Sequence, residues 1–346
     1  MTKNGLEANP PSPPVVVEQA TKSFGGDVAV QDLTLTVERA TIMGVIGPSG
    51  CGKTTFMRML TGVAPASDGS VRVLGRDPAS FTADDRGRIG YMPQIPVLFP
   101  QLSMWANLNF VASVYGLSHR GRRRRLMDLL RFVELEPHRH KKLREASGGM
   151  QRRLTLAATL VHQPELILLD EPTAGIDPIL RDRFWERFRA LRDAGHTLVV
   201  STQYVGEAAM CDLVAVMEGG RLIALDAPDA LRRRAFGGDV LRIDVAGGSF
   251  GAAELLGLRA LPGVVSVHRN DETLTVVADD SAAALPAIAE YFRTASIEAG
   301  PIEVVTPSYD EVFVKLIAAE RAAASAGERA SDSAGDRVAD APGVAR

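Results

Sequence analysis

The chain is predicted to fold as an α/β protein built around a glycine-rich loop between a strand and a helix, with a smaller α+β unit after it. Three observations carry this prediction. Gly47-Pro48-Ser49-Gly50-Cys51-Gly52-Lys53-Thr54 lies between a short apolar stretch and a helical pattern. A second apolar stretch, Leu166-Ile167-Leu168-Leu169, runs straight into Asp170-Glu171. From Val240 onward, strand and helix patterns alternate as β-α-β-β-α-β, the order of a split βαβ or ferredoxin-like unit.

Residues 41–46 (TIMGVI) are apolar and β-rich, the pattern of a buried strand. Residues 55–60 (TFMRML) read as the first turns of a helix. Between them the octapeptide satisfies G-x-x-x-x-G-K-[ST] at every position, in the strand–loop–helix setting that motif requires. Its glycines let backbone N–H groups approach phosphates with no Cβ in the way, and Lys53 brings charge to the β and γ phosphates. Thr54 offers a hydroxyl to Mg²⁺, and Thr55 is expected near the α phosphate. Pro48, Ser49 and Cys51 complete the loop. Cys51 reads either as a tolerated small residue or as a thiol whose modification would block nucleotide binding.

Four apolar residues ending in Asp170-Glu171 describe a buried strand that delivers carboxylates to the crevice where open α/β sheets bind ligands. Asp170 is then a Mg²⁺ ligand, directly or through water. Glu171 is placed to polarise an attacking water, because phosphoryl transfer needs mainly positioning and charge stabilisation. Taken alone, the pair also reads as a strand followed by an acidic loop. Ser147-Gly148-Gly149, roughly 100 residues beyond the first loop, precedes a helix expected at about 152–160. A hydroxyl and free N–H groups at a positive helix end make a second anion site, although Ser is also a common N-cap and Gly-Gly a common turn.

Composition narrows the classes. The chain has 346 residues, 46 % of them hydrophobic, enough for two domains with substantial cores. A formal net charge of −3 argues against a nucleic-acid binder working through bulk charge. Its two cysteines, Cys51 and Cys211, form no disulfide framework and suit a reducing compartment. The polar, proline-bearing residues 1–14 read as a disordered lead-in rather than a signal peptide. No apolar run approaches the ~20 residues that span a bilayer.

In this order and spacing, the motifs resemble the ATP-binding cassette family, the nucleotide-binding subunits of ABC transporters, over residues 15 to about 236. The resemblance implies a P-loop NTPase cassette with a RecA-like core, an antiparallel β subdomain and a helical subdomain at about 95–161. Phe24 matches the aromatic that stacks on adenine, and Gln94 the glutamine that ligates Mg²⁺ and joins the core to the helical subdomain. Ser147, Gly148 and Gly149 match the family signature, and Asp177, closing Pro172-Thr173-Ala174-Gly175-Ile176-Asp177, matches the loop that crosses the dimer interface. Family geometry has these residues act in trans, on the nucleotide of a second cassette. The implied cofactors are ATP and Mg²⁺. The implied partners are a second copy and a multi-helix membrane permease, with the chain peripheral at the cytoplasmic face and no nucleic acid bound.

Three positions depart from the family pattern. Ala146 and Met150 stand where Leu and Gln are usual, and Met150-Gln151-Arg152-Arg153 looks like cassettes that power exporters of drugs, antibiotics and polysaccharides. Gln203 occupies the place of a histidine that hydrogen-bonds the γ phosphate and orients the catalytic carboxylate. Glutamine keeps a donor and an acceptor but does not titrate near neutral pH. The expected result is a working site with altered proton dependence, close to daunorubicin-resistance cassettes; a weakened ATPase is the other outcome.

In the helical segment, Leu108, Val111, Ala112 and Tyr115, then Leu126, Leu129, Leu130 and Val133, recur at helical spacing. The run Arg120-Gly121-Arg122-Arg123-Arg124-Arg125 reads as a solvated face, or as a patch attracted to anionic headgroups. Gly237-Gly238 marks a boundary, and an α+β accessory domain is expected over 237–318, with strands near 240–245, 264–268, 274–278 and 302–305. Helices are expected near 252–258 and 282–292, and another from Ser308; residues 307–313 resemble the end of the accessory domain on exporter cassettes. Residues 319–346 are expected to be a disordered tail. Besides the exporter ATPase, the residues admit a soluble ABC ATPase or an interaction module with a degenerate site.

Overall fold

The structure, a computed structural model, describes residues 12–245, 250–270 and 272–335, with side chains described as far as residue 322. The chain divides into two units, Met1–Leu225 and Asp226–Arg346.

The first unit opens with β1 (Val15–Phe24) and β2 (Asp27–Val37), an antiparallel pair in the register Val15↔Val37 and Val17↔Leu35. The next elements are β3 (Ile42–Ile46), α1 (Lys53–Leu60) and β4 (Asp68–Val73), and β4 joins β1 in a three-stranded sheet. After α2 (Ala83–Gly87) and β5 (Ile89–Met92) comes a helical segment of α3 (Met104–Val114), α4 (His119–Phe132) and α5 (Gly148–Thr159). The unit closes with β6 (Leu166–Asp170), α6 (Pro178–Asp193), β7 (Thr197–Thr202), β8 (Leu213–Glu218) and β9 (Arg221–Asp226).

Six strands form the central sheet in the order β5-β6-β7-β3-β8-β9, with β5–β6, β6–β7, β7–β3 and β3–β8 parallel. Every residue of β3, β6 and β7 is buried, as expected of parallel strands covered on both faces. Phe56, Met57, Met59 and Leu60 of α1 join Val15, Val17, Leu33, Leu35 and Val37 of the smaller sheet and Met43 and Val45 of β3 in one core. That core fixes where β3 ends and α1 begins, and so the shape of the loop between them.

The helical segment departs from expectation in two places. α5 begins at Gly148, not near Arg152, because the Ser147 hydroxyl caps it by accepting the Met150 N–H at 3.3 Å. Both glycines thus lie in the first helical turn. Leu108, Ala112, Leu126, Leu129 and Leu130 are buried as their spacing implies, but Tyr115 is exposed and stacks on His162. The arginine run is only partly a solvated face. Arg122 donates to Ser113 Oγ at 2.8 Å and Arg125 to the Leu160 carbonyl at 2.6 Å, while Arg124 stays exposed near Asp128.

In the second unit, α7 (Pro228–Phe236) is followed by β10 (Asp239–Val245), α8 (Ala252–Arg259), β11 (Val264–Asn270), β12 (Thr273–Ala278), α9 (Ser281–Thr294) and β13 (Ala299–Val305). Its strands lie in the order β11-β12-β10-β13, every recorded pair antiparallel. Leu241, Ile243, Val276, Ile288 and Phe292 are at the centre of its core. The last helix, α10 (Tyr309–Gly335), extends well past residue 318, where a disordered tail was expected; its Ala, Glu and Arg content favours helix. The division falls at Leu225/Asp226, ahead of Gly237-Gly238, because α7 is tied to α10. The Arg232 guanidinium lies 3.9 Å from the Tyr309 ring centroid, and the Lys315 ammonium 3.9 Å from that of Phe236. Residues 1–11 of the expected lead-in and 336–346 of the expected tail lie outside the described residues. Among the described residues, no helix is long and apolar enough to cross a membrane.

Candidate active site

Three adjacent parallel strands, β6, β7 and β3, end on the same side of the central sheet, and the chemically active residues are gathered at those ends. The loop from Gly47 to Gly52 leaves β3 and turns into α1 through Gly52, whose backbone is left-handed at φ 101°. A Cβ on Gly52 would approach the Ala29 carbonyl oxygen to 2.4 Å, and one on Gly47 the Met217 carbonyl oxygen to 2.2 Å. Only glycine fits either place. Lys53 is buried, with its ammonium donating to the carbonyls of Gly47 at 2.8 Å and Pro48 at 3.0 Å. These are weak partners for a buried cation, and the nearest anion is Glu171, 3.9 Å away. Such a group is poised for a phosphate. Cys51 is buried against Gly47, and that burial pushes its thiol up despite the opposing charge of Lys53. A neutral, covered thiol makes the tolerated-residue reading of Cys51 the better one.

Asp170 sits at the end of β6, where the register pairs it with Ser201 of β7. One carboxylate oxygen accepts from Ser201 Oγ at 2.5 Å and Thr54 Oγ1 at 3.2 Å. The other is buried without a hydrogen-bond partner. An orphaned carboxylate oxygen beside a threonine hydroxyl suits a hard cation, so the residues fit Mg²⁺. Among the described residues, no cluster of three or more His, Cys, Asp or Glu could hold a metal ion.

Glu171 follows immediately and is left-handed, with φ 47°. Its carboxylate accepts from Gln94 Nε2 at 2.8 Å, so the residue after β5 and the acid after β6 meet. Its N–H is held by Ser201, through Oγ at 2.9 Å and the carbonyl at 3.1 Å, and its own carbonyl accepts from Arg152 Nη1 at 2.8 Å. Sequence reasoning missed both partners. Ser201 carries a local signal, since it is the first polar residue in Leu198-Val199-Val200-Ser201. Arg152 carries none, because its contact depends on where α5 lies.

The remaining candidates lie elsewhere. Ser147 and Gly149 share an open cleft of about 460 Å³ with Gly175, Ile176 and Asp177. Asp177 caps α6, its side chain accepting the Leu180 N–H at 2.9 Å. A Cβ on Gly149 would come within 2.7 Å of Leu180, so α5 and α6 are in close contact where these residues meet. Phe24 lies at the end of β1 with 49 % of its surface exposed, its ring reached by the Lys22 ammonium at 4.9 Å. Gln203 is exposed just beyond β7, followed by Tyr204, whose ring lies 4.1 Å from the Arg181 guanidinium.

The comparisons agree with this geometry. The family model described as "ABC transporter" matches residues 30–174. The daunorubicin resistance ATP-binding protein DrrA3 of Streptomyces coeruleorubidus is 36 % identical over 316 residues, covering 90 % of this chain and 98 % of that protein. The Nod factor export ATP-binding protein I of Cupriavidus pinatubonensis is 37 % identical over 228 residues, or 66 % of this chain and 70 % of that protein. A solved ATP-binding subunit of an ABC transporter, 28 % identical, aligns with a TM-score of 0.59 over 64 % of this chain and 93 % of its own. With the buried lysine, the orphaned aspartate oxygen and the adjacent glutamate gathered at the ends of the same strands, these relatives establish that the chain belongs to the ABC transporter family as an ATP-binding, ATP-hydrolysing subunit.

Proposed function

We propose that the chain is the ATPase of an exporter, working as two identical cassettes at the cytoplasmic face beneath a separate multi-helix permease. Lys53 and the N–H groups of Gly47, Ser49, Gly50, Cys51, Gly52, Thr54 and Thr55 take the phosphates, Pro48 shapes the loop between them, and Phe24 stacks on the base. Thr54, Gln94 and Asp170 hold Mg²⁺, which when bound neutralises charge on the β and γ phosphate oxygens. Glu171 aligns and polarises the attacking water, with Gln203 beside the γ phosphate. Ser147, Gly148, Gly149 and Asp177 close over the nucleotide of the other copy, and that closure is the movement passed to the permease. Residues 237–318 are assigned as a ferredoxin-like accessory domain that steadies the pair. The exported compound is of the drug, antibiotic, lipid or polysaccharide type.

The observation that carries this reading is an exposed apolar patch directly after Gln94. Ile95 and Val97 are 78 % and 80 % exposed, and Phe99, Phe110, Val114 and Tyr115 are exposed with them. Phe99 and Phe110 pack edge to face at 4.8 Å, and buried Asn107 fixes the loop by bonding both the N–H and the carbonyl of Phe99. Rigid, exposed apolar surface marks a partner site. Because Gln94 touches Glu171, a partner seated there is coupled to the catalytic carboxylate. Affinity capture of the chain from detergent-solubilised membranes should recover a multi-spanning protein, and Phe110→Asp should lose it while retaining ATPase activity. Recovery of ribosomes or soluble proteins alone contradicts the exporter assignment.

Gln203→His provides a narrower check. Because glutamine already presents a donor and an acceptor, the substitution should leave kcat within about an order of magnitude. A loss of several orders in steady-state hydrolysis would mean that glutamine has a role histidine cannot fill.

A further inference from the structure

Glu171 is held in a conformation that its own residue type disfavours. A non-glycine residue in the left-handed region is strained and persists only where its surroundings over-determine it. Those surroundings are specific. Ser201 holds the Glu171 N–H, and the Glu171 carbonyl accepts from the Ala174 N–H at 3.3 Å and from Arg152 Nη1 at 2.8 Å. The shorter of the two carbonyl contacts is the charged one. It is also the one that comes from a different part of the unit, since Ala174 lies on the same loop as Glu171. Arg152 is half-buried, and its loss would leave that carbonyl with only the longer bond.

Arg152 stands on α5, the helix capped by Ser147. The neighbouring arginine serves another purpose, for Arg153 donates to the Val133 carbonyl at 3.3 Å and lies 3.7 Å from Glu134. One helix therefore presents Ser147 to the open cleft and Arg152 to the backbone of the catalytic acid. We propose that Arg152 is a positioning residue: it holds Glu171 in its left-handed conformation and makes hydrolysis depend on where α5 sits. Closure of Ser147 over the second copy's nucleotide is thereby registered at Glu171. The inference rests on the proposed roles of Ser147 and Glu171 and adds the residue that joins them.

The test uses the full-length chain as Arg152→Gln, Arg152→Lys, Glu171→Gln and the double variant Arg152→Gln/Glu171→Gln. Arg152→Gln should lower kcat about 10- to 100-fold, the scale of a misplacement near 1 Å, with KM for ATP nearly unchanged. Calorimetric affinity for AMP-PNP should also stay within about twofold, because the ATP contacts lie elsewhere. Arg152→Lys, which retains one charged donor, should recover part of the rate. In the Glu171→Gln background, Arg152→Gln should change the residual rate by no more than about twofold, because the side chain it aligns has gone. The inference is overturned if Arg152→Gln keeps kcat within about twofold of the parent, or if it costs the same factor in both backgrounds. If Arg152→Gln does not fold, Arg152→Lys decides: a reduced kcat at constant KM supports the role, and an unchanged kcat refutes it. Should Glu171→Gln itself turn over normally, the catalytic assignment fails, and that result is distinct from failure of Arg152 alone.

Discussion

Glu171→Gln is expected to bind ATP and nearly to stop hydrolysing it. The change is close to isosteric: the left-handed backbone, the Ser201 and Arg152 contacts and a side-chain oxygen for Gln94 all remain. What disappears is the negative charge beside Lys53, which the proposed mechanism uses to polarise water. A positioned base contributes about 10²–10⁴ in rate, so kcat should fall by about three orders of magnitude. Affinity should hold or rise, since one fewer anion faces the γ phosphate. Phosphate release assays with parallel nucleotide binding check both statements. Normal turnover would remove Glu171 from the mechanism.

Lys53→Ala is expected to act a step earlier, on binding itself. In this structure the ammonium is buried and rests on two carbonyls, arrangements that a phosphate replaces with charge-assisted bonds. Removing one partner of a buried, hydrogen-bonded charge pair costs about 2–5 kcal/mol, a loss in ATP affinity of roughly 30- to several thousand-fold. Because β3 and α1 are fixed by Phe56, Met57 and Leu60 rather than by Lys53, the fold should survive. Calorimetry with ATP and a circular dichroism melt separate the two effects. Retained affinity would mean that the backbone loop alone holds the phosphates.

Much of this was legible in the chain. The octapeptide from Gly47 to Thr54 is local, so its spacing alone specifies a strand, a loop and a helix, and β3 and α1 lie where that spacing puts them. Asp170 and Glu171 were legible as the end of an apolar run. The alternation after Val240 places β10 to β13, α8 and α9 to within a few residues, whereas α7, which precedes it, carries no such signal. What could not be read depends on three-dimensional register. Ser201 matters because β6 and β7 pair in parallel with Asp170 opposite it, and Arg152 because α5 passes behind Glu171. Neither relation has a sequence spacing. The start of α5 was misplaced because two glycines look like a turn, whereas the Ser147 cap draws both into the helix. The extent of α10 was missed because an alanine-rich, polar stretch reads as tail when only its lack of aromatics is weighed.

In the proposed mechanism Ser147 serves the nucleotide of another copy, so the working site needs two chains. The most direct measurement is the mass in solution, by light scattering, of Glu171→Gln and Glu171→Gln/Ser147→Arg with ATP and Mg²⁺. Glu171→Gln should convert to a dimer holding two nucleotides, while the double variant binds ATP and stays a monomer, because an arginine blocks the cleft beside Gly149 and Asp177. An equally stable dimer from the double variant, or a fully active monomer of the unmodified chain, would contradict the account.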